Sequence, residues 1–358
     1  MDTAPTILAL NPGSTSTKMG VFSGDRLLAG QTLRHDSALL QEYAGIWNQF
    51  EFRLQSIRAW VREHAAAVSA VAGIGGLLRP VRGGTYRVNT RMLEDAKANF
   101  QGEHSSNLGC AFADALARDY GCEAFVVDPV SVDEFEPSAR YSGHPIIQRR
   151  SLSHALNIHA AARRAAEECG VALASSAFVV AHLGGGISIA PVRGGRIIDV
   201  NDAASDGPFS PERTGGLPLQ PFITLCRDHD ERETRRMVMG QGGLVAYLGT
   251  NSAQEVERRI AEGDKQAKAV YEAMAYQIAK EIGAMATVLE GKANKIVLTG
   301  GLAGSAILTA WIRQRVSFIA PVLMYPGEDE LQALAGGVLR VLRGEEPSLI
   351  YGTEHADL

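Results

Sequence analysis

The feature that most restricts this chain is residues 6–22, TILALNPGSTSTKMGVF, because its plan returns about halfway along. An apolar run enters a turn of small residues and an alternating apolar run leaves it, which reads as strand, turn, strand. In VFSGDRLLAGQTLRH, Gly24 and Asp25 punctuate a second hairpin, so a three-strand meander opens the protein. FVVAHLGGGISIAPVRGGRIIDV repeats the plan, and the glycines share a register: Gly184 minus Gly13 and Gly195 minus Gly24 both give 171. Two meanders in one register predict a duplicated unit.

The stretches after each meander support an α/β fold. Over 39–67 the apolar residues Ile46, Phe50, Leu54, Ile57 and Val61 recur at the helical period. A strand-like AVAGIGG leads into LLRPVRGGTYRV, helices flank a polar GEHSSN break, and AFVVDPVSVDEF is a strand ending on Asp128, where Pro129 forbids a following helix. The second half predicts a helix over 153–169, a Pro/Gly-rich loop DGPFSPERTGGLPLQP, mostly helix over 252–290, and KIVLTGGLAGSAIL as strand, glycine turn and helix. A last helix follows Pro326 and Gly327, with Glu328, Asp329 and Glu330 where acids suit the helix dipole. A chain of 358 residues is long for one core, so two domains are expected. Their expected bounds are 1–152 and 153–330, with 331–358 packing back on the first.

Composition excludes several partners. Hydrophobic residues make up 46% and charged residues 21%, with no apolar run of about eighteen residues to cross a bilayer. The net charge is -5 and no basic cluster is present, which argues against nucleic acid. The start, MDTAPTILAL, lacks a basic n-region, so a cytoplasmic protein is expected. Cys110, Cys122, Cys169 and Cys226 show no CxxC or metal-ligand spacing and read as reduced thiols.

Several stretches carry chemistry. In NPGSTSTK, Gly13 lets the backbone bend, Asn11, Ser14, Thr15, Ser16 and Thr17 offer hydrogen-bonding groups, and Lys18 adds a charge. Such a loop suits a polyphosphate; it is not a Walker loop, since no second glycine precedes the lysine and strand follows. Alone it reads as well as a polar hairpin tip. HLGGGIS, with His182 and Gly184, Gly185 and Gly186, is the matching second loop. In TGGLAGS, Thr299, Gly300 and Gly301 offer bare backbone under an adenosine, or merely join strand to helix. Asp128 and Glu330 are the acids best placed for magnesium, which takes oxygen ligands. Arg213, His154 and His182 are candidates for neutralising charge on a transferring phosphoryl group. A single arginine, histidine or acid is usually structural, so the weight lies in the combination.

Paired glycine turns on duplicated domains are the plan of the actin-like, sugar-kinase and Hsp70 superfamily. That plan is two duplicated actin-like (ribonuclease H-like) domains, each a mixed five-stranded sheet flanked by helices, with a nucleotide cleft between them. NPGSTSTK, LLRPVRGGTYRVN, GEHSSNLG, VVDPVSVDEFEP, HALN, VAHLGGGIS, DGPFSPERTGGLP and LTGGLA together resemble the butyrate kinases of the acetate kinase family over essentially the whole chain. The resemblance implies ATP/ADP and Mg2+ as cofactors, a short carboxylic acid as substrate, and at least a homodimer. It implies that Asn11, Ser14, Ser16 and Lys18 serve phosphate and metal shell, Asp128 and Glu330 the magnesium, and His154 and Arg213 the transition state. His182 with Gly184–Gly186 would be the second phosphate loop, and Gly300 and Gly301 the nucleotide floor.

One departure stands out. Where the family pattern reads GRGG, with an arginine for the acyl carboxylate, this chain reads GIGG with Ile74. Arg79 or Arg82 takes over, other groups hold the carboxylate, or activity is reduced. The expected reaction is in-line attack of a short fatty-acid carboxylate on the γ-phosphate of Mg-ATP, reversibly giving an acyl phosphate and ADP. The acid is ionised near neutral pH, with a pKa of roughly 4, so no general base is needed. Two other readings stay open: a nucleotide-binding scaffold or sensor weakened by Ile74, and a kinase acting on hydroxyl groups.

Overall fold

A computed structural model describes residues 4–353, and the expected features at 1–3 and 354–358 lie outside the described residues. In chain order the strands are β1 (Thr6–Pro12), β2 (Ser16–Ser23), β3 (Arg26–Arg34), β4 (Ala70–Ile74), β5 (Thr85–Arg87), β6 (Glu123–Val127), β7 (Tyr141–His144), β8 (Ile147–Gln148), β9 (Ala177–Leu183), β10 (Ile187–Arg193), β11 (Arg196–Ile197), β12 (Lys295–Gly300), β13 (Val322–Pro326) and β14 (Leu349–Ile350). The chain forms two compact units, one taking everything up to Asp133 and again from Asp329 on, the other Glu134–Glu328.

The first unit is built on a sheet of order β14-β5-β6-β4-β1-β2-β3. Strand β1 is central, antiparallel to β2 and parallel to β4, and Ile7, Leu8, Ala9 and Leu10 are fully buried. A strand covered on both faces must be apolar along its length, and ILAL is. Leu54, Ile57, Trp60 and Val61 of the helix Phe50–His64, with Leu108 and Phe112 of the helix Leu108–Tyr120, share one core with Leu8, Leu10 and Val71. The helix Glu330–Leu342 returns to pack on β1, β4 and β6, where Gly337 lets it approach Val127 closely.

The second unit's sheet has the order β11-β10-β9-β12-β13. Strand for strand this repeats β3-β2-β1-β4-β6, with the same antiparallel and parallel pairings. Its core gathers Val179, Ala181, Ile189 and Leu298 from the sheet against Tyr271, Met274, Ile278 and Ile282 of the helix Lys265–Val288.

Three expectations need correction. The first sheet has seven strands rather than five, because Thr85–Arg87 pairs with β6 and Leu349–Ile350 with β5. The expected boundary at 152 does not match the division after Asp133. Glu134 accepts the Ile197 N–H, the Glu136 N–H donates to Ile198 O, and Arg193 pairs with Glu136, so this stretch is tied to the second unit. The shared register also slips by one residue. Pro12 pairs with Thr17, leaving four residues in the first turn, whereas Leu183 pairs with Ile187, leaving only Gly184–Gly186. The counterpart of Gly24 (φ 57°) is therefore Gly194 (φ 59°), at the start of the next tight turn, rather than Gly195.

Candidate functional site

In the first unit the end of β1, the start of β2 and the start of the last helix converge. Asn11 and Lys18 are cross-strand partners, and such pairs project on one face of the sheet. Both reach one carboxylate oxygen: Asn11 Nδ2 donates to Glu330 Oε2, and Lys18 Nζ lies 3.2 Å from it. Glu330 opens the helix Glu330–Leu342, so the sheet strands meet the helix end at which acids are favoured.

The turn between the strands is held mainly from one side. Gly13 N–H donates to Ser16 O at 2.8 Å, which closes the turn. Arg53, from the helix Phe50–His64 and fully buried, donates to Gly13 O and Ser14 O, both at 2.7 Å. Thr17 Oγ1 meets His35 Nε2 at 2.9 Å, and burial together with the Arg53 charge holds the His35 imidazole below its ordinary pKa of 6.5.

Asp128 follows β6 with φ 40°, a left-handed conformation that costs a non-glycine residue about 1–3 kcal/mol and that is common where function fixes geometry. Its carboxylate accepts the Gly84 N–H at 2.7 Å, while its own N–H donates to Gly84 O at 3.0 Å. Among the described residues no group of three or more His, Cys, Asp or Glu side chains is arranged to hold a metal. Asp128 and Glu330 offer only hard oxygen donors, which suits magnesium, an ion usually held by one or two carboxylates plus substrate oxygens and water.

Arg79 is committed within the unit: its Nε and Nη2 meet both oxygens of Asp95 at 2.7 and 3.1 Å, and its guanidinium lies 4.1 Å from the centre of the Phe100 ring. Asp95 in turn holds the guanidinium above its ordinary pKa. Arg82 is exposed, and Ile74 is half-buried at the end of β4.

In the second unit His182 lies near the end of β9, with Ser188 beside it on β10 and Thr299 beside it on β12. His154, just before the helix Ala155–Glu168, stacks on His182 with ring centres 4.1 Å apart, and its Nδ1 meets Ser188 Oγ at 2.9 Å. His182 Nε2 lies 3.7 Å from Glu328 Oε1. The glycine turn after β9 is closed by Gly184 N–H to Gly186 O at 3.1 Å, and Ser210 Oγ donates to Gly185 O. Arg213 Nη1 donates to Ala203 O at 3.0 Å, and burial pushes its guanidinium below its ordinary pKa. A Cβ on Gly186 would come within 2.6 Å of Arg213 Nη1, so the guanidinium rests on the bare glycine. Gly300, at φ 90°, crosses Leu183 so closely that a Cβ would lie 2.4 Å from its carbonyl oxygen.

Of the expected residues, the first unit joins Asn11, Lys18 and Glu330. The second joins His154 with His182, which pairs with Thr299 in the sheet, and Gly186 with Arg213. Sequence reasoning missed Arg53, His35, Ser188, Ser210 and Ala203. Arg53 left a signal: it lies three residues after Phe50 and four before Ile57, a charge on an apolar stripe.

The repeated strand order and the glycine turn in each unit define an actin-like fold. Among solved structures, acetate kinase from Porphyromonas gingivalis matches with a TM-score of 0.78 at 16% identity, covering 95% of this chain and 100% of that one. A propionate kinase from Francisella tularensis matches at 0.73 with 19% identity, covering 93% and 98%. The acetokinase family model matches residues 140–318. "Probable butyrate kinase 2" of Caldanaerobacter subterraneus is 49% identical over 351 residues, 97% of this chain and 99% of that protein. "Butyrate kinase 2" of Clostridium acetobutylicum is 48% identical, covering 96% and 99%. The chain belongs to the acetokinase family, whose members phosphorylate carboxylates with ATP.

Proposed function

We propose that the protein transfers the γ-phosphate of ATP to the carboxylate of a short-chain fatty acid, most naturally butanoate or isobutanoate, giving an acyl phosphate and ADP. The reaction runs in either direction, since acyl phosphates are good phosphoryl donors. The observation that carries the chemistry is Arg213, half-buried and seated on Gly186, in the glycine turn that comes just after the stacked His182. A cation fixed against a glycine turn suits the charge that develops on a transferring phosphoryl group. The names of the relatives supply the acid.

In this reading the turn with Gly13, Ser14 and Ser16 binds phosphate, assisted by Asn11 and Lys18, and Gly184, Gly185 and Gly186 with His182 form the second phosphate loop. Arg213 and His154 stabilise the transition state. Thr299, Gly300 and Gly301 form the floor under the adenosine. Asn11, Asp128 and Glu330 would hold magnesium directly or through water; when bound, the ion neutralises phosphate charge. Arg79, paired with Asp95, and Arg82, exposed, are the two candidates for the acyl carboxylate, and Ile74 contacts the alkyl chain.

No general base is required, because the carboxylate nucleophile is already ionised near pH 7. None of the helices in the described residues is long and apolar enough to cross a membrane. We expect a cytoplasmic homodimer, and light scattering of the purified protein checks the oligomeric state.

The test is to trap acyl phosphate as hydroxamate with Mg-ATP and acetate, propionate, butyrate, isobutyrate or glycerol. Butyrate or isobutyrate should give product and glycerol none. ATP binding without product from any acid would favour a nucleotide-binding scaffold instead.

A further inference from the structure

The turn at 13–16 is gripped from behind by a charge that meets no acid among the described residues. Arg53 occupies a core position on the helix Phe50–His64 and is 0% exposed. Its Nη1 donates to Gly13 O at 2.7 Å and Ser16 O at 3.3 Å, and its Nη2 to Ser14 O at 2.7 Å. The Nε and Nη2 groups also donate to Gln49 Oε1, at 3.1 and 2.8 Å. A guanidinium has five N–H groups, and these five contacts account for them. Every one of these acceptors is a carbonyl or the Gln49 amide oxygen; none is a carboxylate. The remaining carbonyl of the turn, Thr15 O, accepts the His35 N–H at 2.9 Å.

These contacts set the direction of the backbone amides. The peptide bonds are trans, and in a planar trans unit the N–H points opposite to the C=O. With the carbonyls of Gly13 and Ser14 drawn to Arg53, the N–H groups of Ser14 and Thr15 point away from it. Backbone amides presented together in this way suit an anion, and a buried cation beneath them adds to the field.

We propose that Arg53 is the positioning residue of the phosphate turn. It fixes the peptide planes so that the amides of Ser14 and Thr15 face the polyphosphate of a nucleoside triphosphate, and its own charge is answered only when that anion arrives. The inference rests on reading this turn as a phosphate site.

Arg53→Lys keeps a charge but loses the fork, and Gln49→Leu keeps the fork but loses its side anchor. For both, KM for ATP and for butyrate are measured separately, with calorimetric binding of ATP and of adenosine and a melting curve. Arg53→Lys should raise KM for ATP about tenfold or more and Gln49→Leu less, with KM for butyrate within about twofold and adenosine binding unchanged. A folded variant with wild-type KM for ATP overturns the proposal alone. Equal losses for ATP and adenosine also overturn it, since they would mean general loosening. If Arg53→Lys does not fold, Gln49→Leu decides by the same comparison. Wild-type protein that binds no ATP would sink the phosphate reading itself.

Discussion

Gly186 and Arg213 touch so closely that only glycine leaves room: a Cβ would stand 2.6 Å from Arg213 Nη1 and 2.8 Å from its Cζ. The guanidinium is also anchored to Ala203 O, so it cannot retreat without losing that bond. Gly186→Ala should therefore displace it by a fraction of an ångström. A misplacement on the order of 1 Å costs roughly 100-fold in rate, so kcat should fall about 10- to 100-fold while the melting temperature barely moves. Gly300→Ala makes the contrast, since backbone and a positive φ stand in the way there. It should lose roughly 1–3 kcal/mol of stability, as denaturant titration would report.

Asp206 gives a pH-dependent prediction. Burial raises its carboxyl pKa to about 6, with Asp202 and Glu281 adding to the rise and Arg149 opposing it, and its Oδ1 has no hydrogen-bond partner among the described residues. The folded protein holds this proton up to about pH 6, whereas the unfolded chain releases it near 3.8. Between those values the folded state binds more protons, so this group's contribution to stability declines as pH rises and stays low above 6. Asp206→Asn should stabilise the protein at pH 8 by about 1–2 kcal/mol, and the gain should shrink as pH falls through 6 toward 4. An equal gain at pH 8 and pH 5 would contradict the assignment.

The meanders, the two turns and the long helices could be read from the sequence because alternation, glycine and the 3.6-residue period leave local traces. The outer strands could not: Thr85–Arg87 and Leu349–Ile350 are three and two residues long, too short to show a period. The boundary after Asp133 depends on Glu134 and Glu136 meeting residues about sixty positions later. The pairing of Arg79 with Asp95, sixteen residues away, leaves no local trace in the sequence. The candidate residues stand in motifs that the sequence shows, but Ser188 opposite His182 required knowing that the second turn is one residue shorter than the first.

The Asn11–Lys18–Glu330 cluster should govern the use of magnesium. Glu330→Gln keeps the shape but lowers the negative charge beside Lys18, so the magnesium concentration giving half-maximal rate should rise about tenfold or more. Lys18→Met should lower kcat roughly 100-fold. Excess EDTA should abolish turnover in wild type, and magnesium should restore it. Turnover unaffected by EDTA would rule the metal out of the reaction.

In the proposed reading Ile74 contacts the alkyl chain and so bears on acid choice. Truncating an apolar contact to the alkyl chain is worth about 1–3 kcal/mol, so Ile74→Ala should lower the ratio of kcat/KM for butyrate over acetate about tenfold. Equal effects on the two acids would place Ile74 away from the alkyl chain.

Phosphorylation of the acid requires that one of its carboxylate oxygens attack the transferring phosphorus and become the bridge of the product. Butyrate labelled with oxygen-18 in its carboxylate, incubated with the protein and Mg-ATP, can be followed by phosphorus NMR. The expected product is butyryl phosphate whose bridging oxygen carries the label, seen as an isotope shift on its phosphorus signal, with one ADP formed per acyl phosphate. Product with an unlabelled bridge, or ADP and free phosphate with no acyl phosphate, would refute direct attack by the carboxylate.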